Sequence, residues 1–301
     1  MRLIGIRDCR LILLLVLWFA WNHSSLFAEK SSEKIGVVAT VLPLADFAEE
    51  VGGEQIRVSA MVPPGADPHT YEPLPGQLKS LSRAQLYVAA GSGVEFELVW
   101  LDKLKATNPR LVICNSSVGI QLANTEDSLR GFREGRPKHN HSDPHVWLSP
   151  RNAVQMAKNI RDSLIRLDPK NEAYYQSRFE SFASSLRQLD LEIKNTLVGI
   201  SQRNFMVYHP AWGYFAKDYL LNEIAIEVDG KEPSAARIAG LIKEARARGI
   251  RTIFASPQFS QKSARVIAKE IGGKVILVDD LAKDYFSNLR KVANDLAREL
   301  K

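Results

Sequence analysis

The residues of this chain best suited to chemistry are two copies of one tripeptide, Asp67-Pro68-His69 and Asp143-Pro144-His145. Each is followed by a small residue and an aromatic ring, Thr70-Tyr71 and Val146-Trp147. A third histidine, His209, has a similar setting in Tyr208-His209-Pro210-Ala211-Trp212. The sequence holds only six histidines, so its use of them is uneven: three stand in rigid, proline-flanked turns framed by aromatics. Neutral imidazole is the commonest side-chain metal ligand, and a neighbouring proline fixes the backbone from which the ring projects. Taken singly, each histidine reads as a packing or turn residue, and Asp67 and Asp143 read as turn formers. The threefold recurrence favours ligands that meet at one metal ion.

The elements that would position these rings come in two sets of alternating strands and helices. Short apolar, β-branched runs mark strands at Ile35–Val41, Ile56–Val62, Leu86–Ala90 and Leu111–Cys114, with helices at Leu44–Val51 and Gln77–Ser82. The second set has strands at Phe205–Tyr208, Ile224–Val228, Thr252–Ala255 and Val275–Val278, with helices at Tyr214–Leu221, Ser234–Arg248, Gln261–Ile271 and Asp284–Leu300. Such alternation predicts an α/β protein with two parallel sheets of roughly four strands each, flanked by helices. Ser149-Pro150 predicts another helix start, as cap and first residue.

Between the sets, Tyr175, Phe179, Phe182, Leu186, Leu189, Ile193 and Leu197 recur three or four apart. They predict one amphipathic helix over 168–199, about 30 residues and roughly 45 Å long. The expected organisation is a signal peptide at 1–28, an N-terminal α/β metal-binding domain at 29–167, a linking helix at 168–200 and a C-terminal α/β metal-binding domain at 201–301. On this map His69, His145 and His209 fall beyond the carboxyl ends of strands, the edge at which open parallel sheets bind ligands. Asp279, directly after Val275–Val278, is a fourth candidate. Two ligands from each half would place the ion in an interdomain cleft.

Composition narrows the setting. Arg2, Arg7 and Arg10, then the apolar run Leu11–Trp21 and a mixed stretch ending at Ala28, follow the order of a cleavable secretory signal. The apolar run is well short of the roughly 20 residues a transmembrane helix needs, so a protein exported out of the cytoplasm is expected. Cys9 lies in that leader, which leaves Cys114 alone, without an intramolecular disulfide partner and read as core filling. The net charge of +6 is mild, and the basic residues are scattered singly, which gives nucleic-acid binding no footprint.

Several longer stretches carry a resemblance. They are Pro63-Pro64-Gly65-Ala66-Asp67-Pro68-His69-Thr70-Tyr71-Glu72-Pro73, Asp143-Pro144-His145-Val146-Trp147-Leu148, Tyr208-His209-Pro210-Ala211-Trp212-Gly213-Tyr214-Phe215, Glu232-Pro233-Ser234, Pro257-Gln258-Phe259-Ser260 and Val278-Asp279-Asp280-Leu281. Together they resemble the metal-binding receptors of bacterial ABC importers, in the zinc/manganese family whose two domains are joined by one rigid helix. The resemblance covers essentially the whole chain after the leader. It implies a periplasmic, monomeric solute-binding protein, not an enzyme, that delivers a metal ion to a membrane permease subunit. It also implies His69, His145, His209 and Asp279 as the metal ligands. The family usually has Asp-Pro-Leu where this chain has Asp279-Asp280-Leu281, and some zinc members use water or another carboxylate as the fourth group.

Three imidazoles and one carboxylate suit Zn2+, whereas Mn2+ prefers more oxygen ligands, and manganese members of the family commonly carry a carboxylate at the position of His209. Zinc is therefore the expected ion, with manganese as the alternative. His139 and His141, in a long polar loop, are either an auxiliary zinc collector or a solvated surface. Two rival readings remain: a zinc hydrolase, since three histidines and a water also make a catalytic site, and an adhesin or structural surface protein, which the resemblance implies because relatives of that family have been described so.

Overall fold

The computed structural model describes residues 34–123, 142–228 and 230–301; the expected signal segment, His139 and His141 lie outside the described residues. Residues 34–301 form one compact unit. Its first half holds the strands β1 (Ile35–Ala39), β2 (Ile56–Ala60), β3 (Leu86–Ala89) and β4 (Val112–Asn115). They are all parallel, in the order β2-β1-β3-β4, with Val37 opposite both Val58 and Leu86. The inner strand β3, Leu-Tyr-Val-Ala, is buried throughout, as a strand covered by helices on both faces must be.

The second half repeats the arrangement. Strands β5 (Asn204–Val207), β6 (Asn222–Ala225), β7 (Thr252–Ala255) and β8 (Lys274–Leu277) are parallel, in the order β6-β5-β7-β8. The two predicted four-stranded parallel sheets are thus present. The sixth strand starts two residues earlier than its apolar run indicates, because the polar Asn222 and Glu223 of this edge strand already pair with β5.

Nine helices cover the sheets among the described residues: α1 (Leu42–Gly52), α2 (Pro75–Leu81), α3 (Glu95–Thr107), α4 (Pro150–Leu167), α5 (Glu172–Leu197), α6 (Gly213–Asp218), α7 (Ala235–Ala247), α8 (Lys262–Glu270) and α9 (Tyr285–Glu299). Local chemistry fixes several starts. Ser149 accepts the Asn152 N–H at 3.1 Å, with Pro150 as first residue of α4. Ser234 caps α7 and Asp284 caps α9 in the same manner. The pattern of apolar residues did not reveal α3, whose apolar positions give it little one-sided character.

Helix α5 is the long one, 26 residues after a short 3-10 turn at Pro169–Asn171, or about 39 Å at the usual rise. Tyr175, Phe182, Leu186, Leu189, Ile193 and Leu197 are buried along one stripe. That stripe packs on α1 and α4 from the first half and on α9 from the second. One hydrophobic cluster accordingly runs from the first sheet through α5 to Leu289 and Val292 of α9, while a smaller one fills the far side of the second sheet around Met206, Ile253 and Leu241. Cys114 is buried on β4, and burial pushes its thiol up to about 11. No helix among the described residues is long and apolar enough to cross a membrane.

Because α5 is held by its apolar stripe, truncation there should be costly and truncation elsewhere on it cheap. Leu186→Ala, at a fully buried site, is expected to cost about 2–5 kcal/mol of unfolding free energy. Leu191→Ala, at a site 52% exposed, should stay within about 0.5 kcal/mol. Equal effects in urea unfolding would contradict this packing.

Candidate metal centre

All strands end toward one region, and their carboxyl-terminal loops assemble the centre. The loop after β2 carries His69, and the segment beyond β4 brings His145 to the short 3-10 turn Val146–Leu148. His209 lies just past β5. Proline neighbours shape each turn, and a carboxylate locks two of them: Asp67 accepts the His69 N–H at 2.8 Å, and Asp143 accepts the His145 N–H at 3.0 Å. The repeated tripeptide is therefore one local device used twice, with the aspartate closing the turn from which the ring projects.

The three rings meet. Nε2 of His209 lies 3.2 Å from Nε2 of His69 and 3.2 Å from Nε2 of His145. Each has one ligating nitrogen within 4.8 Å of the others'. Two ligands at tetrahedral angles on a zinc ion, with Zn–N near 2.0–2.1 Å, are about 3.3 Å apart; the observed separations are those of ligands around a single ion.

The other nitrogen of every ring faces a carboxylate. His69 Nδ1 lies 2.5 Å from Glu95, His145 Nδ1 2.9 Å from Asp143, and His209 Nδ1 3.3 Å from Glu227. A carboxylate at Nδ1 holds the proton there and leaves the Nε2 lone pair free, the tautomer a metal needs. Among the described residues, the ion pairs of these three acids are with the histidines alone. Glu95 and Glu227 were not found from the sequence: they follow β3 and β6 in runs without any motif. Asp143, read as a turn former, serves both the backbone and the ring.

Packing fixes the rings further. Phe259 stacks on His209 with centroids 4.4 Å apart, and Trp147 meets His145 edge-on at 5.4 Å. His145 and His209 are buried, whereas the His69 side chain keeps 18% of its exposure and its partner Glu95 49%. The centre is open on the His69 side.

Asp279 does not join the cluster. Its Oδ1 accepts from Gln258 Nε2 at 2.6 Å and from the Leu281 N–H at 2.9 Å, so it braces its own loop. The adjacent Asp280 also lies outside the three-histidine cluster. It is 2% exposed, its Oδ1 has no hydrogen-bond partner among the described residues, and its charge is felt at His209. A buried, unpartnered carboxylate oxygen is costly unless something completes it. Trp147 Nε1 donates to the Asp280 backbone carbonyl at 2.8 Å, which ties the Asp279-Asp280 loop to the His145 turn.

With this geometry in view, the comparisons with known proteins are consistent with one another. The family model described as zinc-uptake complex component A, periplasmic, matches residues 37–299. The zinc-binding protein AdcA of Streptococcus pyogenes is 29% identical over 92% of this chain and 58% of its own length. The high-affinity zinc uptake system protein ZnuA of Bacillus subtilis is 30% identical over 84% of this chain and 81% of its own. A crystal structure of ZnuA superposes with a TM-score of 0.83 at 40% identity, covering 89% of this chain and all of that one. The chain thus spans little more than half the length of the streptococcal relative.

Two rings of the cluster, His69 and His209, should titrate apart. Burial disfavours a proton on His69, but the hydrogen bond and charge of Glu95, helped by Asp67 and Glu227, outweigh it and raise its pKa above 6.5. Burial lowers His209 below 6.5, with neighbouring His145 acting the same way against Glu227 and Asp280. As pH falls, metal-free protein should protonate His69 before His209, a sequence that ring-nitrogen NMR resolves. Metal affinity should therefore begin to fall while pH is still above 6.5, as His69 takes up a proton. The reverse order would contradict the role given to Glu95.

Proposed function

The chain belongs to the zinc-uptake complex component A family, and from that membership we propose that it is an extracytoplasmic solute-binding receptor which captures Zn2+ and delivers it to the permease of an ABC importer. The observation that carries this reading is the convergence of three Nε2 atoms at ion-sharing distance, each ring held at Nδ1 by its own carboxylate. His69, His145 and His209 are the nitrogen ligands, and Asp280, in place of Asp279, is the fourth. Manganese is the alternative cargo, and three imidazoles offer it fewer oxygens than it prefers.

Capture requires no chemical step. The hydrated ion exchanges water for three neutral nitrogens and one carboxylate, and the negative charge of Asp280 with the three outer acids draws a cation inward. A carboxylate as fourth ligand would leave no open position for an attacking water, which supports a carrier rather than a hydrolase. Residues 29–167 and 201–301 act as two metal-binding domains joined by the helix at 168–200, and the protein works as a periplasmic monomer. Helix α5, packed along its length on both halves, opposes wide hinge opening.

A competition titration of metal-free protein against a chelator of known strength tests this directly. One tight zinc equivalent is expected, with manganese much weaker. Asp280→Asn should weaken zinc by at least the roughly 10–100-fold seen for outer partners of metal ligands, and Asp279→Asn should leave it nearly unchanged. A larger effect of Asp279→Asn would reverse the assignment of the fourth ligand; no tight zinc site at all would sink the receptor reading.

A further inference from the structure

The loop that carries His69 is built mostly on itself. Within it, the Ala66 N–H donates to the Pro63 carbonyl at 3.2 Å and the Thr70 N–H to the Asp67 carbonyl at 3.3 Å. The Asp67 carboxylate accepts the His69 N–H and the Thr70 hydroxyl. Its two stems are anchored: Met61 and Val62 donate to Ala39 and Thr40 carbonyls, and Gln77 gathers Tyr71, Leu74 and Met61. Between Pro63 and Thr70, the hydrogen bonds that leave the loop for the rest of the described protein pass through the His69 ring, to Glu95 and His209.

The other ligands have firmer seats. Pro144 accepts the Ser92 hydroxyl at 2.5 Å, and the Asp143 carbonyl accepts Tyr214 Oη at 3.1 Å. Trp147, two residues past His145, donates to the Asp280 carbonyl and accepts from Tyr285 Oη at 2.7 Å, which bolts the Asp280 loop to the His145 turn. His209 is clamped beneath Phe259. The loop whose outward hydrogen bonds pass only through its ring thus also carries the most exposed of the three rings.

That side chain, Glu95, begins α3, where the helix N-terminus favours a carboxylate. Two residues on, Glu97 is buried at 6% exposure and does not touch the metal centre. Its Oε1 accepts the Ala90 N–H at 2.7 Å and the Thr40 hydroxyl at 2.5 Å, and its Oε2 accepts the Gly91 N–H at 2.8 Å. Gly91 has φ +70, and a Cβ there would meet Asn115 at 1.9 Å, so this turn tolerates no side chain and is drawn tight. A buried carboxyl at the third helical position normally reaches back to the cap residue; here it reaches further and ties the first turn of α3 to the ends of β1 and β3.

We propose that the Pro63–Leu74 loop is the exit gate for the bound ion, that Glu95 is its latch, and that Glu97 is the positioning residue that holds the latch in place. The inference rests on the receptor reading above. The ion leaves when His69 swings out with its loop, while His145, His209 and Asp280 keep their places. Glu97 acts on release only through Glu95.

Stopped-flow release of zinc from loaded protein into excess EDTA, together with amide hydrogen exchange of the loaded state, tests the proposal. Glu95→Gln should speed release on the order of 10-fold or more and unprotect amides of residues 66–71 while those flanking His145 and His209 stay protected. Glu97→Gln should speed release in the wild-type background and add nothing in the Glu95→Gln background. Thr40→Val, which removes one donor to Glu97 and leaves the carboxylate, should do the same more weakly and serves if Glu97→Gln does not fold. Additive effects of Glu97→Gln and Glu95→Gln, or unaltered exchange of the loop in Glu95→Gln, would overturn the proposal. A wild-type protein that retains no zinc would instead overturn the receptor reading on which it rests.

Discussion

The structure depends on three imidazole nitrogens held close together. Nε2 of His209 lies 3.2 Å from Nε2 of His69 and 3.2 Å from Nε2 of His145, and the far nitrogen of each ring faces a carboxylate, Glu95, Asp143 or Glu227. Nearby sits Asp280, buried, with an oxygen that has no hydrogen-bond partner among the described residues. Buried charges are normally paired, and a cation received among these acceptors would relieve their conflict and offset the cost of their desolvation.

Holding such a conflict in place requires rigid surroundings, and the scaffold supplies them. The two sheets present their carboxyl edges to a common region, and α5 shares its apolar stripe with helices of both halves. Bonds that cross between the halves reinforce this close to the centre. Ser149 Oγ donates to Asp218 at 2.5 Å, Tyr214 Oη to the Asp143 carbonyl, and Tyr285 Oη to the Trp147 carbonyl. Further out, Lys283 and Glu49 pair at 2.9 Å, an exposed contact of little energetic weight. The apolar contacts and buried hydrogen bonds do the holding, and they leave little compliance except in loops such as Pro63–Leu74.

The three converging histidines were legible in the sequence because each stands beside a proline that stiffens its turn, and an aspartate closes two of those turns. The sheets were legible because buried parallel strands are continuous apolar runs. What escaped had no such signature. Glu227 reaches its ring because β6 ends beside β5, and Glu95 because β3 ends on the same sheet edge as β2, with β1 between them; both are properties of strand order and not of any local pattern. Asp279 was singled out from its place after a strand, a reading that could not see Gln258 and the Leu281 N–H engage its carboxylate. Helix α3 was hidden for a related reason. Leu98 and Val99 are exposed while the acidic Glu97 is buried, so its hydrophobic pattern opposes its actual orientation.

The two halves share one strand order but divide the work differently. The edge strands β4 and β8 hold equivalent places in their sheets, and each leads to a proposed ligand, His145 and Asp280. At the other equivalent places the roles are exchanged. Strand β2 leads to His69 of the cluster while its counterpart β6 leads to the supporting acid Glu227; β5 leads to His209 of the cluster while its counterpart β1 leads to Thr40, which serves Glu97. Strand β3 supplies the acid Glu95, and its counterpart β7 supplies the aromatic lid Phe259 over His209. The consequence is an asymmetric site on a repeated frame. The ring supported from the second half is buried under an aromatic, and one ring supported from the first half rests on a half-exposed carboxylate at a helix start. Tight holding and a defined way out are thereby separated onto different strands, so that either can change by substitution in its own loop without disturbing the sheet that carries the other.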